Sequence, residues 1–459
     1  MKRTWAIARL TFREGMRMRI VLVFIIVLVF VLLRLPFALR GDETLAGRLQ
    51  TFLAYSLGAL GVVMSLATVF LSCATLTRDI QQRSIHLVVT KPVSRFEILA
   101  GKWLGVNLLN VVMVALSGLV IYALASFIKS RPEQFLRDRL KLDDTVWTAR
   151  AAARPIEPDF EAFARERVEA LAAENRSFPL GQEAAVQDFV RELREEWKRV
   201  PPHGGQRVYE FAGLPPASAG ERVYEVRFKA RSVPYAPDDL VRIGWVILDP
   251  QTGAVLDGRV TEERSGVRHQ FLPRTSIVKD GKAALGVWNP PENRERTIYF
   301  EGDDALEILY RVGSFEGNLA KALLLILFRL AFLSALGLFF GTFVSFPVAC
   351  FCVLFVFVVC LGMPWWLEAI GASMQRVDPK IDPYGRLGPY VRIVLVPLLK
   401  TLLPDFTAYD GIGEVIDGYA ISTRLLLRGA AHTLVYGTAL LALPGWLIFR
   451  GREIAQEII

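Results

Sequence analysis

The feature that most constrains the fold is a run at residues 330–367 that contains no Asp, Glu, Lys or Arg. A membrane-spanning helix needs about 20 apolar residues, so this run is too long for one span and predicts most of two. The sequence Ser345-Phe346-Pro347 divides it, because proline is accepted at the start of a helix and not inside one. We therefore expect a fourth span at about 321–343 and a fifth at about 348–366, with Trp365 and Trp366 at the membrane interface.

Four further apolar runs complete a pattern of six spans, at about 20–39, 51–76, 103–128 and 429–449. Lys and Arg cluster beside these runs, and the positive-inside bias then places both termini in the cytoplasm. The same clustering accounts for the formal net charge of +8 without a nucleic-acid partner. A cleaved signal peptide is the alternative for the first run, but no small-x-small cleavage site follows it. We expect a multi-pass protein of the cytoplasmic (inner) membrane of a prokaryote.

Residues 129–318 form a polar insertion, which this count of spans places outside the cytoplasm. Apolar residues recur at spacings of three and four within residues 156–200, which predicts a helical hairpin. Residues 206–312 alternate apolar and polar side chains in short stretches, separated by turn sequences such as Asp280-Gly281. The fold class that follows is a helical membrane protein with an inserted α+β extracytoplasmic domain, in which an antiparallel β-sandwich follows the hairpin.

The insertion divides the membrane domain into a first half at residues 1–128 and a second half at residues 319–459. The second half contains a loop at residues 367–428 that we expect outside the cytoplasm. Within this loop, residues 390–403 are apolar but too short to span a membrane, and Pro397 interrupts them. This segment is typical of an interfacial or re-entrant helix.

The sequence contains no motif for catalysis or cofactor binding. It lacks the P-loop pattern G-x-x-x-x-G-K-[ST], the H-E-x-x-H pattern of zinc proteases and the G-x-S-x-G pattern of serine hydrolases. The four cysteines all lie in apolar runs, which excludes a disulfide framework and favours packing over metal binding. Glu301, Asp303 and Asp304 lack the further ligands of a calcium loop, so a solvated turn is the better interpretation. We expect no enzyme activity, no cofactor and no metal.

Three polar side chains inside the apolar runs have two interpretations each. Asn107 and Asn110 meet at helical spacing in the third span, where they would line a pathway or form interhelical hydrogen bonds; the second use is the commoner one. Arg329 lies in the fourth span. It would either face a substrate, or snorkel to the interface or pair inside the bundle.

Residues 77–102 separate the second span from the third and are short, polar, mildly basic and amphipathic. Apolar side chains of a short helix here would grip the membrane, and charged side chains would face the cytoplasm, where another protein can touch them. Pro92 would break this helix and give it a rigid corner. A plain cytoplasmic loop anchored by basic residues is the alternative.

The sequence of residues 90–105, TKPVSRFEILAGKWLG, resembles the segment between the second and third spans of ABC exporter permeases of the type-2 class. The family pattern there is Lys-Pro-Val-Ser-Arg, an acidic residue, an apolar stretch and Gly-Lys-x-x-Gly. Arg83-Ser84 stands where the commonest form has a Gly-Thr or similar pair, which is similar to the multicopper-enzyme-maturation and gliding subgroup. Other segments extend the resemblance over all six spans but not over the insertion: residues 345–349, 403–406 and 436–453.

The resemblance implies a function in transport. In this family a short cytoplasmic helix seats in a groove of a separate ATPase subunit, whose ATP-driven closure switches a two-state membrane bundle. The partners would be that ATPase, a second copy or a related permease, and the lipid membrane. A membrane-anchored binding or scaffold protein that acts through its extracytoplasmic β-sandwich is the alternative. The resemblance assigns the coupling to Asp79, Arg83, Lys91, Pro92, Arg95, Glu97 and Lys102.

Overall fold

A computed structural model of the chain describes residues 2–38, 44–81, 93–130, 145–174, 181–215, 224–234, 240–273, 277–302, 304–374, 394 and 396–451. The chain forms two compact units. Residues 1–149 together with 313–459 form a helical unit, and residues 150–312 form an inserted unit. The inserted unit therefore begins later and ends earlier than the predicted insertion at 129–318.

The first half of the helical unit contains α1 (Lys2–Arg17), α2 (Arg19–Ala38), α3 (Leu45–Gln81) and α4 (Arg95–Ser130). The helices α3 and α4 are each long and apolar enough to cross a membrane. The pair α1 and α2 meets that test only together, and it is bent by 64°. The first turn of α1 has no acidic residue and its exposed side chains include both apolar and basic ones, as in helices that lie along a membrane surface.

Both long helices extend beyond the predicted spans at 51–76 and 103–128. Helix α3 continues to Gln81, and α4 already begins at Arg95. A short helix was expected between these spans. Its first residues instead belong to α3, and its last residues belong to α4. Residues 82–92 lie outside the part of the chain that the structure describes.

The inserted unit begins with a strand and a pair of helices. After β1 (Thr148–Ala153), the chain forms α5 (Phe160–Ala173) and α6 (Gln182–Trp197). Asp159 caps α5 because its side chain accepts a hydrogen bond from the Ala162 backbone N–H. The two helices pack through a small apolar cluster: Ala164, Val168 and Val186.

The described part of the inserted unit contains nine further strands: β2 (Arg199–Val200), β3 (Gln206–Ala212), β4 (Tyr224–Val233), β5 (Leu240–Leu248), β6 (Val255–Arg264), β7 (Arg268–Phe271), β8 (Lys282–Trp288), β9 (Thr297–Phe300) and β10 (Leu306–Ser314). One sheet has the order β1-β10-β4-β9-β2 with β7 also paired to β4, and the other has the order β3-β8-β5-β6. The neighbouring strands pair antiparallel in β2–β9, β3–β8, β4–β7, β4–β9, β4–β10, β5–β6 and β5–β8.

The two sheets share one hydrophobic core. Phe228 of the first sheet and Trp245 of the second lie with ring centroids 4.6 Å apart. The alternation along β5 explains this, since Ile243, Trp245 and Ile247 point to one face of the strand and are all buried. The predicted turn at Asp280-Gly281 is confirmed, because both residues have positive φ and Lys279 and Lys282 exchange backbone hydrogen bonds across it.

The second half of the helical unit begins with α7 (Phe315–Gly341), which Ser314 caps. Pro347 lies in the first turn of α8 (Phe346–Leu361), so the predicted interruption at Ser345-Phe346-Pro347 is where the chain divides α7 from α8. The predicted fifth span at 348–366 is not one straight helix. It breaks after α8, and α9 (Met363–Met374) continues at an angle of 72°.

The remaining helices are α10 (Val396–Leu402), α11 (Ile412–Ile416) and α12 (Thr423–Gly451). Only residues 394 and 396–403 of the predicted re-entrant helix fall within the described chain, and they hold the seven-residue α10. Helix α12 is longer than the predicted span at 429–449 and contains a π-helical segment at Ala430–Gly437. Over the described chain, four helices can cross a membrane by length and composition, or up to six if each bent pair counts as one span.

Helices α3 and α7 form the centre of the helical unit. About two thirds of the most apolar window is buried in each (67% and 61%), against 28% in α4 and 22% in α12. A helix that is apolar on all sides and buried on most of them belongs in the core of a bundle. Any movement of α3 would therefore displace side chains of the helices packed around it.

Candidate functional site

The ends of α3 and α4 that residues 82–92 connect are tied by a buried charge. The Lys102 ammonium donates hydrogen bonds to the Asp79 carboxylate (Nζ to Oδ2, 2.5 Å) and to the Thr75 carbonyl oxygen (3.0 Å). Lys102 is only 4% exposed, and the Asp79 side chain is 27% exposed. A lysine is almost never buried without such a partner. The pair therefore fixes the spacing of the two helices at this end.

Two glycines of α4 bring α1 into backbone contact with it. A Cβ atom at Gly101 would lie 2.9 Å from the carbonyl oxygen of Thr4, and one at Gly105 would lie 2.6 Å from that of Ala8. Any side chain larger than hydrogen would force the helices apart at both places. The spacing is the G-x-x-x-G pattern of close helix crossings in membranes. The first helix is thus held against the same end of α4 that carries Lys102.

Arg95, the first residue of α4, reaches the end of α12. Its guanidinium Nη1 donates hydrogen bonds to the carbonyl oxygens of Phe449 and Arg450, the second at 2.7 Å. The guanidinium also lies over the Phe449 ring, 5.7 Å from its centroid. The last carbonyls of a helix have no partner within the helix and carry its partial negative charge, so a cation stabilises them.

Glu97 caps its own helix. The Ser94 backbone N–H donates to Glu97 Oε2 (2.8 Å), and the Glu97 backbone N–H donates to Ser94 Oγ (3.1 Å). This reciprocal pair is a capping box, which satisfies two backbone donors that the first turn of a helix leaves free. It explains locally why α4 begins directly after Ser94.

The structure brings four of the predicted coupling residues to one end of the helical unit: Asp79, Arg95, Glu97 and Lys102. Each has partners within the chain, and Lys102 has almost no exposed surface to offer another protein. The other three lie outside the described residues: Arg83, Lys91 and Pro92. We name the described end of α3 and α4, with the contacts to α1 and α12, the junction.

Gly101 and Gly105 were not among the predicted site residues, although both belong to the quoted family pattern. Their four-residue spacing within an apolar run was the signal that could have identified a helix contact. Thr75 and Phe449 were not predicted either, because they contribute through a backbone carbonyl and a ring. No sequence pattern identifies a carbonyl acceptor.

The two asparagines of the third span both form interhelical hydrogen bonds. Asn107 Nδ2 donates to Ser334 Oγ of α7 (2.9 Å) and to the Trp103 carbonyl oxygen (2.8 Å). Asn110 Oδ1 accepts from Thr68 Oγ1 of α3 (3.0 Å). The commoner of the two interpretations thus describes these contacts, although Asn110 Nδ2 is buried without a partner among the described residues.

Arg329 of α7 lies against α3 and beside a small cleft. A Cβ atom at Gly61 would lie 2.5 Å from its Nη2 atom, so a glycine is needed there for the guanidinium to keep its place. Its Nε atom is buried with no partner in the described chain. Asp410 lines the same small cleft. Arg329 therefore lies inside the helical unit near an acidic side chain, and its role in a pathway stays a prediction.

A groove of about 280 Å³ lies between α4, α7 and α12. Its lining is apolar and includes Leu99, Trp103, Phe339 and Leu441. Among the described residues along this groove, α12 lacks side-chain contact with α4. The Arg95 contacts at its end are thus prominent among the ties between α4 and α12.

The part of the chain that the structure describes contains no group of three or more His, Cys, Asp or Glu side chains that could hold a metal ion. No protein-family model matches the chain, and no curated protein is significantly similar to it.

Proposed function

We propose that this chain is the membrane-spanning permease subunit of an ABC-type exporter. It would couple ATP hydrolysis by a separate ATPase subunit to transport, or to force transmission, across the membrane. In this proposal the chain has six spans with both termini and residues 77–102 in the cytoplasm of a prokaryote. The inserted unit, as a helical hairpin with a β-sandwich, lies on the opposite side, and a second copy or a related permease completes the complex.

The observation that carries this proposal is the length and linkage of α3 and α4 at the junction. A helix of 37 residues, as in α3, is about 55 Å long. The whole bilayer with its headgroups is about 40–45 Å thick. Two such helices project from the membrane on at least one side, and the residues that resemble the family's coupling segment lie at one end of them.

The contacts at the junction would distribute a push. A force on residues 82–92 acts on α3 and α4 together because Lys102 and Asp79 join them. It reaches α1 through the glycine contact and α12 through Arg95. The groove between α4, α7 and α12 is apolar and is not filled by the described side chains. A bundle linked in this way can switch between two arrangements as a unit.

The test is recovery of an ATPase and its loss on charge reversal. Tagged protein purified from its native membranes should carry with it a protein that has Walker motifs, and Lys91→Glu should reduce that recovery at least tenfold. Arg191→Glu is the matched control, because Arg191 is a 78% exposed residue of the inserted unit. Absence of any ATPase from the wild-type preparation would contradict the transporter proposal.

A binding or scaffold protein that acts through its inserted unit is the second candidate. It is favoured by the separate hydrophobic core of that unit, which is independent of the helical bundle. Under this candidate, Lys91→Glu leaves the cellular function intact, whereas deletion of residues 150–312 abolishes it.

A further inference from the structure

The inserted unit contains a cleft of about 200 Å³ with an aromatic floor. The floor consists of Trp197 at the end of α6, Tyr209 of β3 and Phe300 of β9. Their rings meet edge to face, with centroids 5.1 Å apart for Trp197 and Tyr209 and 5.8 Å apart for Tyr209 and Phe300. This volume is below that of sites for drug-sized ligands, about 300–1,000 Å³, and suits a smaller molecule.

Hydrogen bonds hold the floor in place without a ligand. The Tyr209 hydroxyl donates to the Trp197 carbonyl oxygen (3.1 Å), and the Phe300 backbone N–H donates to the Lys198 carbonyl oxygen (3.0 Å). Burial also raises the pKa of Tyr209, so its phenol stays neutral at physiological pH. Tyr209 and Phe300 are only 2% and 3% exposed, so the half-buried Trp197 offers most of the aromatic surface of the cleft. A rigid, uncharged surface of this kind binds a small apolar group with little loss of side-chain entropy.

The charge at the rim that remains accessible to a ligand is positive. Arg154 donates from Nε to Glu307 Oε1 (3.3 Å), and Glu307 is almost fully buried while the Arg154 side chain is 58% exposed. Among the described residues, the two Nη groups of Arg154 have no hydrogen-bond partner. The acidic residue of the rim, Glu157, is already paired with Arg194 (3.3 Å). Glu307 thus orients Arg154 and leaves the open side of its fork toward solvent.

We propose that this cleft binds a small amphiphilic carboxylate. The apolar body lies on the aromatic floor, and the carboxylate accepts two hydrogen bonds from the Nη groups of Arg154. A guanidinium fork matches a carboxylate in two parallel hydrogen bonds, which a lysine does not reproduce. The inference does not depend on the transporter proposal, since it concerns the inserted unit alone.

The probe is 4-benzoylbenzoate, a photoreactive aromatic carboxylate, applied to the full chain in lipid nanodiscs. The matched probes are uncharged benzophenone and cationic 4-(aminomethyl)benzophenone. The wild-type protein should show saturable labelling by the anion, with adducts on the peptides that contain Trp197 and Tyr209. The cation should label these peptides at least tenfold less at equal concentration.

Substitutions at Arg154 test the fork directly. Arg154→Gln should weaken apparent affinity for the anion about tenfold or more, because glutamine removes the charge and cannot form the two parallel hydrogen bonds to a carboxylate. Arg154→Lys should restore only part of it, and Arg154→Glu should reverse the preference toward the cationic probe. Arg191→Gln is the control and should label as the wild type does.

Equal labelling of the two peptides by all three probes would overturn the proposal, as would unchanged labelling in a folded Arg154→Gln protein. The preference of the wild-type protein for the anion decides the question even if a variant fails to fold. Recovery of an ATPase is a separate measurement, so failure here is distinguishable from failure of the transporter proposal.

Discussion

Lys102 carries its charge into a site where 4% of its surface reaches solvent, and the surroundings compensate that charge twice. The Asp79 carboxylate supplies the opposite charge, and the Thr75 carbonyl supplies a second acceptor. Burying an ammonium costs several kcal/mol unless such partners are present. At the scale of single residues, the junction is therefore an electrostatic tie, whose loss leaves one charge without its partner.

Replacing Lys102 alone should destabilise the helical unit more than replacing Lys102 and Asp79 together. Lys102→Met is expected to cost on the order of 2–3 kcal/mol, somewhat below the usual ~3–5 kcal/mol, because Asp79 stays partly hydrated. The double variant Lys102→Met with Asp79→Leu should recover at least half of that loss. Thermal unfolding in one detergent measures both, with Arg78→Met as the control at an exposed position of α3. Additive losses in the double variant would contradict the tie.

Arg95 shows the same principle with a different acceptor. It stabilises carbonyl oxygens at the end of α12 rather than a carboxylate. Arg95 and Glu97 were predicted to lie on a polar face toward another protein, because a sequence shows charge but not the local acceptor. A residue whose side chain caps a helix can still lie at an interface, so the coupling role of both residues remains a prediction.

At the scale of elements, the contact of α1 with α4 depends on the absence of side chains. The closest approach is at Gly105, where the obstacle to a Cβ atom is the Ala8 backbone and the Thr11 side chain. A backbone atom cannot rotate away as the end of a long side chain can. Overpacking in this position must therefore shift a whole helix.

Gly105→Ala should separate α1 from α4. We expect a loss of about 1–3 kcal/mol in stability, as for added methyl groups in packed interiors. Gly58→Ala on α3 is the control, because nothing lies within 4 Å of a Cβ atom there and alanine favours a helix. Thermal unfolding gives the stability, and spin labels on α1 and α4 give the separation. A Gly105→Ala protein as stable as the control would show that α1 does not pack here.

Much of this fold follows from the distribution of charge, but the ends of the long helices do not. The charge-free windows located the core of α3, α4, α7 and α12. They stopped at residue 76, before Arg78 and Asp79, and at residue 103, after Lys102, because a charge ordinarily marks the edge of a span. Lys102 and Asp79 neutralise each other, and such pairing between distant residues is not visible in a hydropathy window.

The strands show the same division between local and tertiary information. The alternation of β4, β5 and β8 and the turn at Asp280-Gly281 were readable from the sequence. Strand β1, with the sequence TARAAA, was not, because alanine has low strand preference and its partner β10 lies far along the chain. The aromatic cleft was unpredictable for the same reason, since Trp197, Tyr209 and Phe300 come from three separate elements.

At the scale of the whole molecule, the chain combines two units whose surfaces differ in character. The helical unit exposes large apolar side chains on α2, α4 and α8, as a surface in contact with lipid or another membrane protein does. The inserted unit exposes numerous charged side chains, as a surface in water does. Exposed apolar area on this scale would aggregate in water, so the helical unit belongs in a membrane.

The proposed topology requires that the inserted unit and the junction lie on opposite sides of that membrane. Arg191→Cys places a thiol on the exposed face of α6, and Gln81→Cys places one at the exposed end of α3. An impermeant maleimide should label the first in intact spheroplasts and the second only after permeabilisation. The parent chain sets the background, because three of its four cysteines are buried and Cys352 is partly so. Labelling of Gln81→Cys in intact spheroplasts would place the junction outside, where no ATPase could reach it.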